Sequence, residues 1–325
     1  MNRHPIEPIT QAQVDEYRRF GVVCLRKVFD RDWVDSLLPV VKEMVASEGK
    51  TGLLPTAPLR HPARIYDAVR EYAFNSPLAE ACGQILQSNE IRYFFEEVFA
   101  KAPQSDEKTI WHADRAGWPV KGEMVPSVWT ALSEVTHANS LQVLRGSHLH
   151  DVLYWLFSPN AKQMIQPSDR PNHPDGESLR DHPDAEYLTW EMDPGDMLVL
   201  HPWVLHYATG NPTDKWRYAI STRVFGDDIT WAPRPDCLNI AGIGFDEMLE
   251  GEKPQGPLFP LIWSEDGRKE DTSKYPYGFA TTWPEGAYER LAERAQINSK
   301  GFEEMLAKSG GPTSLTLPFG KSPPQ

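Results

Sequence analysis

Between Ile91 and Phe225 the sequence reads as a succession of short extended segments divided by turn residues, and no other property of the chain restricts its fold as strongly. Ile91–Lys101 is rich in aromatic and branched residues. A polar turn at Gln104–Lys108 follows, then strand signals at Thr109–Asp114, Val125–Val135 and Ser140–Leu144. They resume at Tyr187–Met192, at Asp196–Leu200 after an Asp193-Pro194-Gly195 turn, at Trp203–Tyr207 and at Trp216–Phe225. Such side chains suit a pleated, half-buried surface, and Gly, Pro and Asn punctuate it. Seven or eight short antiparallel strands fit a double-sheet jelly roll of cupin-like form. The expected class is therefore mainly β with flanking helices.

The flanks read differently. Thr10-x-x-Gln13 is a capping box that opens a helix through Phe20, and Gly21 is placed to end it in a left-handed turn. Val22–Leu25 is a short apolar strand. Asp30 caps a second helix, in which Trp33, Leu37, Val40, Val41 and Met44 repeat at helical spacing, with Pro39 near a kink or in the first turns. Arg64–Glu71 and Pro77–Ser88 read as two further helices. The expected organisation is one elaborated domain over 1–325. Residues 1–90 form a helical scaffold, 91–227 the jelly-roll core with a lid-like insertion at 149–187, and 228–325 a C-terminal covering segment with a helix at Glu285–Lys308.

Lys and Arg number 33 against 46 Asp and Glu, a net charge of -13 with no basic run, so the surface field repels polyphosphate and excludes nucleic acid as a partner. Cys24, Cys82 and Cys237 are far apart and show no Cys-x-x-Cys spacing, which fits a reducing compartment. Met1–Pro8 lacks the apolar centre of a signal peptide, and no apolar run approaches the ~20 residues of a membrane helix. The expectation is a cytoplasmic protein with no membrane association that acts on a small molecule, as a monomer or a homo-oligomer.

His112 and Asp114, two apart in an extended segment, point to one side of it and form half of a metal site. An imidazole and a carboxylate completed by a distant His make a facet that suits ferrous iron. His201 and His206 compete for that third place. They are five apart and would face opposite sides of a continuous strand, although Pro202 interrupts it. Arg217, eleven positions beyond His206, places a charged fork one strand along, suited to a fixed carboxylate. Arg223 shares its parity and is expected to pair with Asp227 or Asp228. His137, His148 and His201 are expected to be structural. Trp118 and Phe95 are either walls of a substrate cavity or ordinary core.

In order along the chain stand His112-x-Asp114, Ser127-Val-Trp-Thr-Ala-Leu, Asn139 through His148, Pro194-Gly-Asp-Met-Leu-Val-Leu-His-Pro202, His206, Asn211 and Arg217 in Arg-Tyr-Ala-Ile-Ser. This series resembles the successive blocks of the phytanoyl-CoA dioxygenase family over about residues 10 to 230. The resemblance implies a double-stranded β-helix core and an oxygenase dependent on Fe(II), 2-oxoglutarate and O2. It further implies that His112, Asp114 and His206 ligate iron, that Arg217 pairs with the distal carboxylate of 2-oxoglutarate, and that Trp129, with Lys101 as a weaker candidate, lines the cosubstrate pocket. One departure stands out: the family often has a small hydroxyl residue two positions after the distal His, where this chain has Ala208, and Thr209 either substitutes or the contact is absent. Because Asp114 is a carboxylate, no position is vacated for halide, and hydroxylation of an aliphatic carbon is expected over halogenation. The family name points to an acyl-CoA, but the net charge of -13 disfavours a polyanionic ester. Two rival readings remain: a metal-dependent cupin-like dioxygenase that does not use 2-oxoglutarate, and a non-catalytic jelly-roll binding protein.

Overall fold

The structure, a computed structural model, describes residues 1–48, 66–150, 183–232, 249–256 and 259–274, together with short elements at 52–53, 62–64, 153–154, 156–158, 163–165 and 172–173. Helix α1 (Gln11–Phe20) starts on the reciprocal box: Gln13 N donates to Thr10 Oγ1 at 3.3 Å, and Thr10 N to Gln13 Oε1 at 2.8 Å. It ends at Gly21, whose φ is 77° and where a Cβ would lie 2.5 Å from His148 Nδ1, so both conformation and space call for glycine. Strand β1 (Val22–Leu25) follows directly. Helix α2 (Arg31–Glu48) carries Pro39 in its interior, past the first turn. Helices α3 (Asp67–Asn75) and α4 (Leu78–Leu86) complete the helical layer.

That layer covers one face of a seven-stranded antiparallel sheet. Its strands are β1, β13 (Met197–Leu200), β6 (Ser127–Ala131), β15 (Arg217–Phe225), β3 (Glu90–Lys101) and β17 (Leu261–Ser264), in that order, with β2 (Gly52–Leu53) also on β3. Trp33, Leu37, Val41, Met44, Tyr72 and Ile85 from the helices bury against Val23, Leu25, Val98, Val128, Val199 and Ile220 of the sheet. Tyr72 Oη and Thr130 Oγ1, 2.7 Å apart, join the layers through a buried polar contact.

The opposite face of the large sheet packs on a second antiparallel sheet, ordered β12 (Tyr187–Leu188), β7 (Leu141–Leu144), β14 (His206–Ala208) and β4 (Thr109–His112). Between the two lie Val22, Trp129, Ala131, Leu141, Val143, Leu198, Leu200, Ala208 and Ala219. Period-two alternation explains the sorting: Trp129 and Ala131 turn to this interior while Val128 and Thr130 turn to the helices. The molecule is mainly β, a curled antiparallel double sheet with helices on one side.

Several boundaries differ from those read in the sequence. The 125–135 segment is ladder only at β6, because Leu132 N then donates to Tyr218 O and Val135 pairs separately with Met192. The 203–207 segment becomes a strand only at His206, since Val204 N closes a turn on His201 O at 3.0 Å. Within 149–187 short ladders form, β8 (Leu153–Tyr154) parallel to β11 (Asn172–His173) and β9 (Leu156–Ser158) antiparallel to β10 (Gln163–Ile165). The C-terminal segment adds strands that its proline content hid: β16 (Thr230–Trp231) pairs β5 (Val120–Lys121), and β17 pairs β3. The helix expected at Glu285–Lys308 lies outside the described residues.

Candidate metal centre

His112 is the last residue of β4, and Asp114 opens a 3-10 turn (Asp114–Gly117), so only the first of the pair is on the strand. Ala113 between them is extended, with φ -114° and ψ 130°, and this preserves the alternation that sends both side chains to one side. His206 opens β14 directly opposite His112 in the ladder, and the two ring centroids are 4.2 Å apart. His112 Nε2 lies 3.5 Å, and His206 Nε2 3.9 Å, from Asp114 Oδ1. One donor atom from each of the three residues falls within 4.8 Å of the others. Two imidazoles and a carboxylate thus converge on one point, a donor set for a first-row divalent metal.

The protonation states suit that role. Burial would raise the Asp114 pKa, but His206, His112 and Arg223 outweigh it and hold the carboxyl well below the usual carboxylate range. Burial and His112 push His206 down to about 4 against the pull of Asp114. The site therefore presents an anionic carboxylate and a neutral imidazole at neutral pH, as metal ligation requires. His206 Nδ1 lies 3.2 Å from Val204 O. A carbonyl only accepts, so Nδ1 carries the proton and Nε2 turns its lone pair inward.

Arg217 begins β15 across from Lys101, the last residue of β3. Its guanidinium, in a residue 1% exposed, lies over the Trp129 ring at 5.4 Å and donates from Nη1 to Asn139 O at 2.8 Å. Nε has no partner, and no carboxylate among the described residues pairs with it. Burial alone brings its pKa down to about 10. A buried cation lacking a counter-ion is unfavourable, and a carboxylate ligand would correct it. Lys101 adds charge to this corner but no free donor: its ammonium faces the carbonyls of Glu107, Ala208 and Thr209. Burial and Arg217 lower it to about 7, with Glu107 opposing. Ala208 is buried among apolar neighbours, and the single proton of the Thr209 hydroxyl is taken up between Ala138 O at 3.0 Å and Gly210 O at 2.8 Å, so it does not take the place of the expected hydroxyl.

Arg223 does not pair with Asp227 or Asp228. It turns inward, where Nη1 meets Glu97 at 3.0 Å and Nε donates to Ser127 Oγ at 3.2 Å. The two aspartates instead accept from Asn89, and from the backbone of Glu123 and Met124. Ser127 Oγ in turn bonds Asp114 Oδ2. The sequence assigns no role to Ser127, which only heads a family block, or to Glu97, although Ser127 shares its strand face with Trp129. Phe95 and Trp118 belong to a buried aromatic cluster with Phe94, Phe225, Trp231 and Phe259, beside Arg223, which lies 4.7 Å above the Phe95 ring. His201, His137 and His148 stand apart from the triad: His201 Nδ1 accepts from Trp203 N, His137 meets Thr189, and His148 meets Arg18 O.

The family model described as phytanoyl-CoA dioxygenase matches residues 17–219, from α1 to the start of β15, and so takes in the three converging side chains and Arg217. The chain belongs to the phytanoyl-CoA dioxygenase family. A probable phytanoyl-CoA dioxygenase of Caenorhabditis elegans is 29% identical over 126 residues, a match spanning 36% of this chain and 36% of that protein, about a third of its length. Among solved structures, SnoK, described as a non-heme alpha ketoglutarate dependent carbocyclase from nogalamycin biosynthesis, aligns with TM-score 0.61 and 19% identity over 78% of this chain and 97% of its own. The epimerase SnoN, solved with Fe3+, alpha ketoglutarate and nogalamycin RO, gives TM-score 0.61 and 22% identity over 78% and 98%. EctD from S. alaskensis, solved with 2-oxoglutarate and 5-hydroxyectoine, gives 0.56 and 18% over 78% and 87%. At these identities the likeness establishes the fold, the double-stranded β-helix that this phytanoyl-CoA dioxygenase family member shares with them.

Proposed function

We propose that the protein is an Fe(II)- and 2-oxoglutarate-dependent oxygenase that hydroxylates an aliphatic carbon of a small organic substrate, with His112, Asp114 and His206 as the iron ligands. One observation carries the reading: a two-His, one-carboxylate facet stands near a buried Arg217 guanidinium that lacks an anion. A metal site alone suits many reactions, but the uncompensated cation needs a carboxylate, which a cupin-like dioxygenase without an oxo acid would not bring. Arg217 reaches across to Trp129 on the neighbouring strand β6, and Trp129 is one strand repeat from Ser127, which holds Asp114. That repeat is roughly 7 Å, the scale of a five-carbon dicarboxylate.

Bound there, iron with 2-oxoglutarate and O2 would supply the oxidising power, coupling decarboxylation of the oxo acid to succinate and CO2 with insertion of one oxygen atom into a C–H bond. The chain's own residues do the rest. Arg217 fixes the distal carboxylate and the Trp129 ring walls the aliphatic span, which sets the direction from which the oxo acid meets the facet. The apolar residues between the sheets exclude water from that space. Support for a small-molecule substrate comes from the family and from the oxygenase neighbours, whose described ligands are small molecules. The test is 2-oxoglutarate turnover: succinate formation that needs Fe(II) and O2, is stimulated by some members of a panel of small aliphatic compounds, and is lost in His206→Ala. Iron-loaded folded protein that makes no succinate, with or without the panel, would exclude the reading.

A further inference from the structure

We propose that Ser127, fixed by Arg223 and through it by Glu97, is a positioning residue that restricts Asp114 to one coordinating oxygen and so keeps the remaining face of the metal open. The inference rests on the triad as a metal site and not on the identity of the cosubstrate.

A carboxylate can offer a cation one oxygen or two. Here its two oxygens have different surroundings. Oδ1 faces both imidazoles, 3.5 Å from His112 Nε2 and 3.9 Å from His206 Nε2, whereas Oδ2 is bonded to Ser127 Oγ. The direction of that last bond follows from chemistry. Arg223 Nε, 3.2 Å from Ser127 Oγ, is a donor and cannot accept. The serine must accept from the arginine, and its single proton is left for Asp114 Oδ2. An oxygen that takes a charge-assisted hydrogen bond along this line is a poor second metal donor.

Three features hold the serine in this duty. Arg223 and Ser127 are direct cross-strand partners in the β15–β6 ladder, so backbone register sets their separation. The guanidinium is held by Glu97 at 3.0 Å and by Ser221 O at 3.1 Å, and it lies over the Phe95 ring. Arg223, Ser127 and Glu97 are all buried, so water does not compete for these bonds.

The test uses Mn(II) alone and reads bound water by water-proton relaxation. With three protein donors on an octahedral ion, wild type keeps about three waters. In Ser127→Ala, Oδ2 is released to displace one, and relaxivity at saturating Mn(II) is expected to fall by about a third. Ser127→Thr, which keeps the hydroxyl, is expected to restore the wild-type value. Ser127→Cys, close in volume but a weak donor, is expected to match Ser127→Ala. Melting of the apoproteins checks that all three fold, and a merely structural serine would change melting without changing the water count. Unchanged relaxivity in metal-saturated Ser127→Ala and Ser127→Cys would overturn the proposal, as would wild type that binds no Mn(II). Because the readout needs only metal, a failed 2-oxoglutarate assignment is distinguishable from a failed role for Ser127.

Discussion

Replacing Arg217 with Met should weaken 2-oxoglutarate binding without a matching loss of apoprotein stability. A guanidinium whose pKa falls from 12.5 to about 10 on burial is kept charged at neutral pH at a cost of roughly 3 kcal/mol, at about 1.4 kcal/mol per pH unit. The apoprotein bears that penalty, since no carboxylate pairs with the group among the described residues. Arg217→Met removes it and gives up the bond to Asn139 O and the stacking on Trp129, about 1 kcal/mol each. The net change in apoprotein stability, measured by urea unfolding, is expected to lie within about 1 kcal/mol of zero or on the stabilising side. Binding of 2-oxoglutarate to the metal-loaded protein, measured by calorimetry, is expected to weaken by roughly a hundredfold, the equivalent of a lost charge-assisted contact of about 3 kcal/mol. An apoprotein destabilised by several kcal/mol, with 2-oxoglutarate affinity unchanged, would refute the assignment and make Arg217 a structural residue.

Other consequences are open to simple measurements. Glu97→Gln leaves the buried Arg223 charge without its partner and is expected to lower stability by about 3 kcal/mol in chemical denaturation. Gly21→Ala meets both a left-handed φ of 77° and the His148 ring, and should cost about 2 kcal/mol; Gly251→Ala, at φ 87° in open space, should cost less. Lys101, with a folded pKa of about 7 below its ordinary 10.5, binds fewer protons folded than unfolded between those values. Stability should therefore rise with pH across that window, and Lys101→Met should flatten the rise. Divalent metal at a hundredfold its Kd should stabilise wild type by about 2.7 kcal/mol, an increment that chelator or His206→Ala removes.

Local signals were the legible ones. The Thr10–Gln13 box and Gly21 fix α1 through hydrogen bonds within a few residues, and sequence alone locates them. His112 and Asp114 were legible as a pair because one extended residue separates them, even though the strand ends between them. The family blocks, in order along the chain, supplied His206 and Arg217, which lie far away in sequence. Contacts set by strand register were not legible. Arg223 could be given its parity but not its partner, since whether Glu97 or Asp227 reaches it depends on a β15–β3 alignment that shifts at Arg223. Ser127 gave no local sign, as its role exists only once β6 is placed beside the Asp114 turn. Strand β17 was hidden for a related reason: a four-residue edge in a Pro-rich stretch becomes a strand by pairing with β3, not by its own propensity.

The triad and Arg217 are tested together under anaerobic conditions: Fe(II) and 2-oxoglutarate are added to the apoprotein and the visible charge-transfer absorption of an oxo-acid chelate is recorded. A band is expected in wild type, absent in His206→Ala, and reached in Arg217→Met only at roughly a hundredfold more 2-oxoglutarate. Folded wild-type protein that binds Fe(II) yet shows no band at any 2-oxoglutarate concentration would contradict the joint assignment of the triad and Arg217.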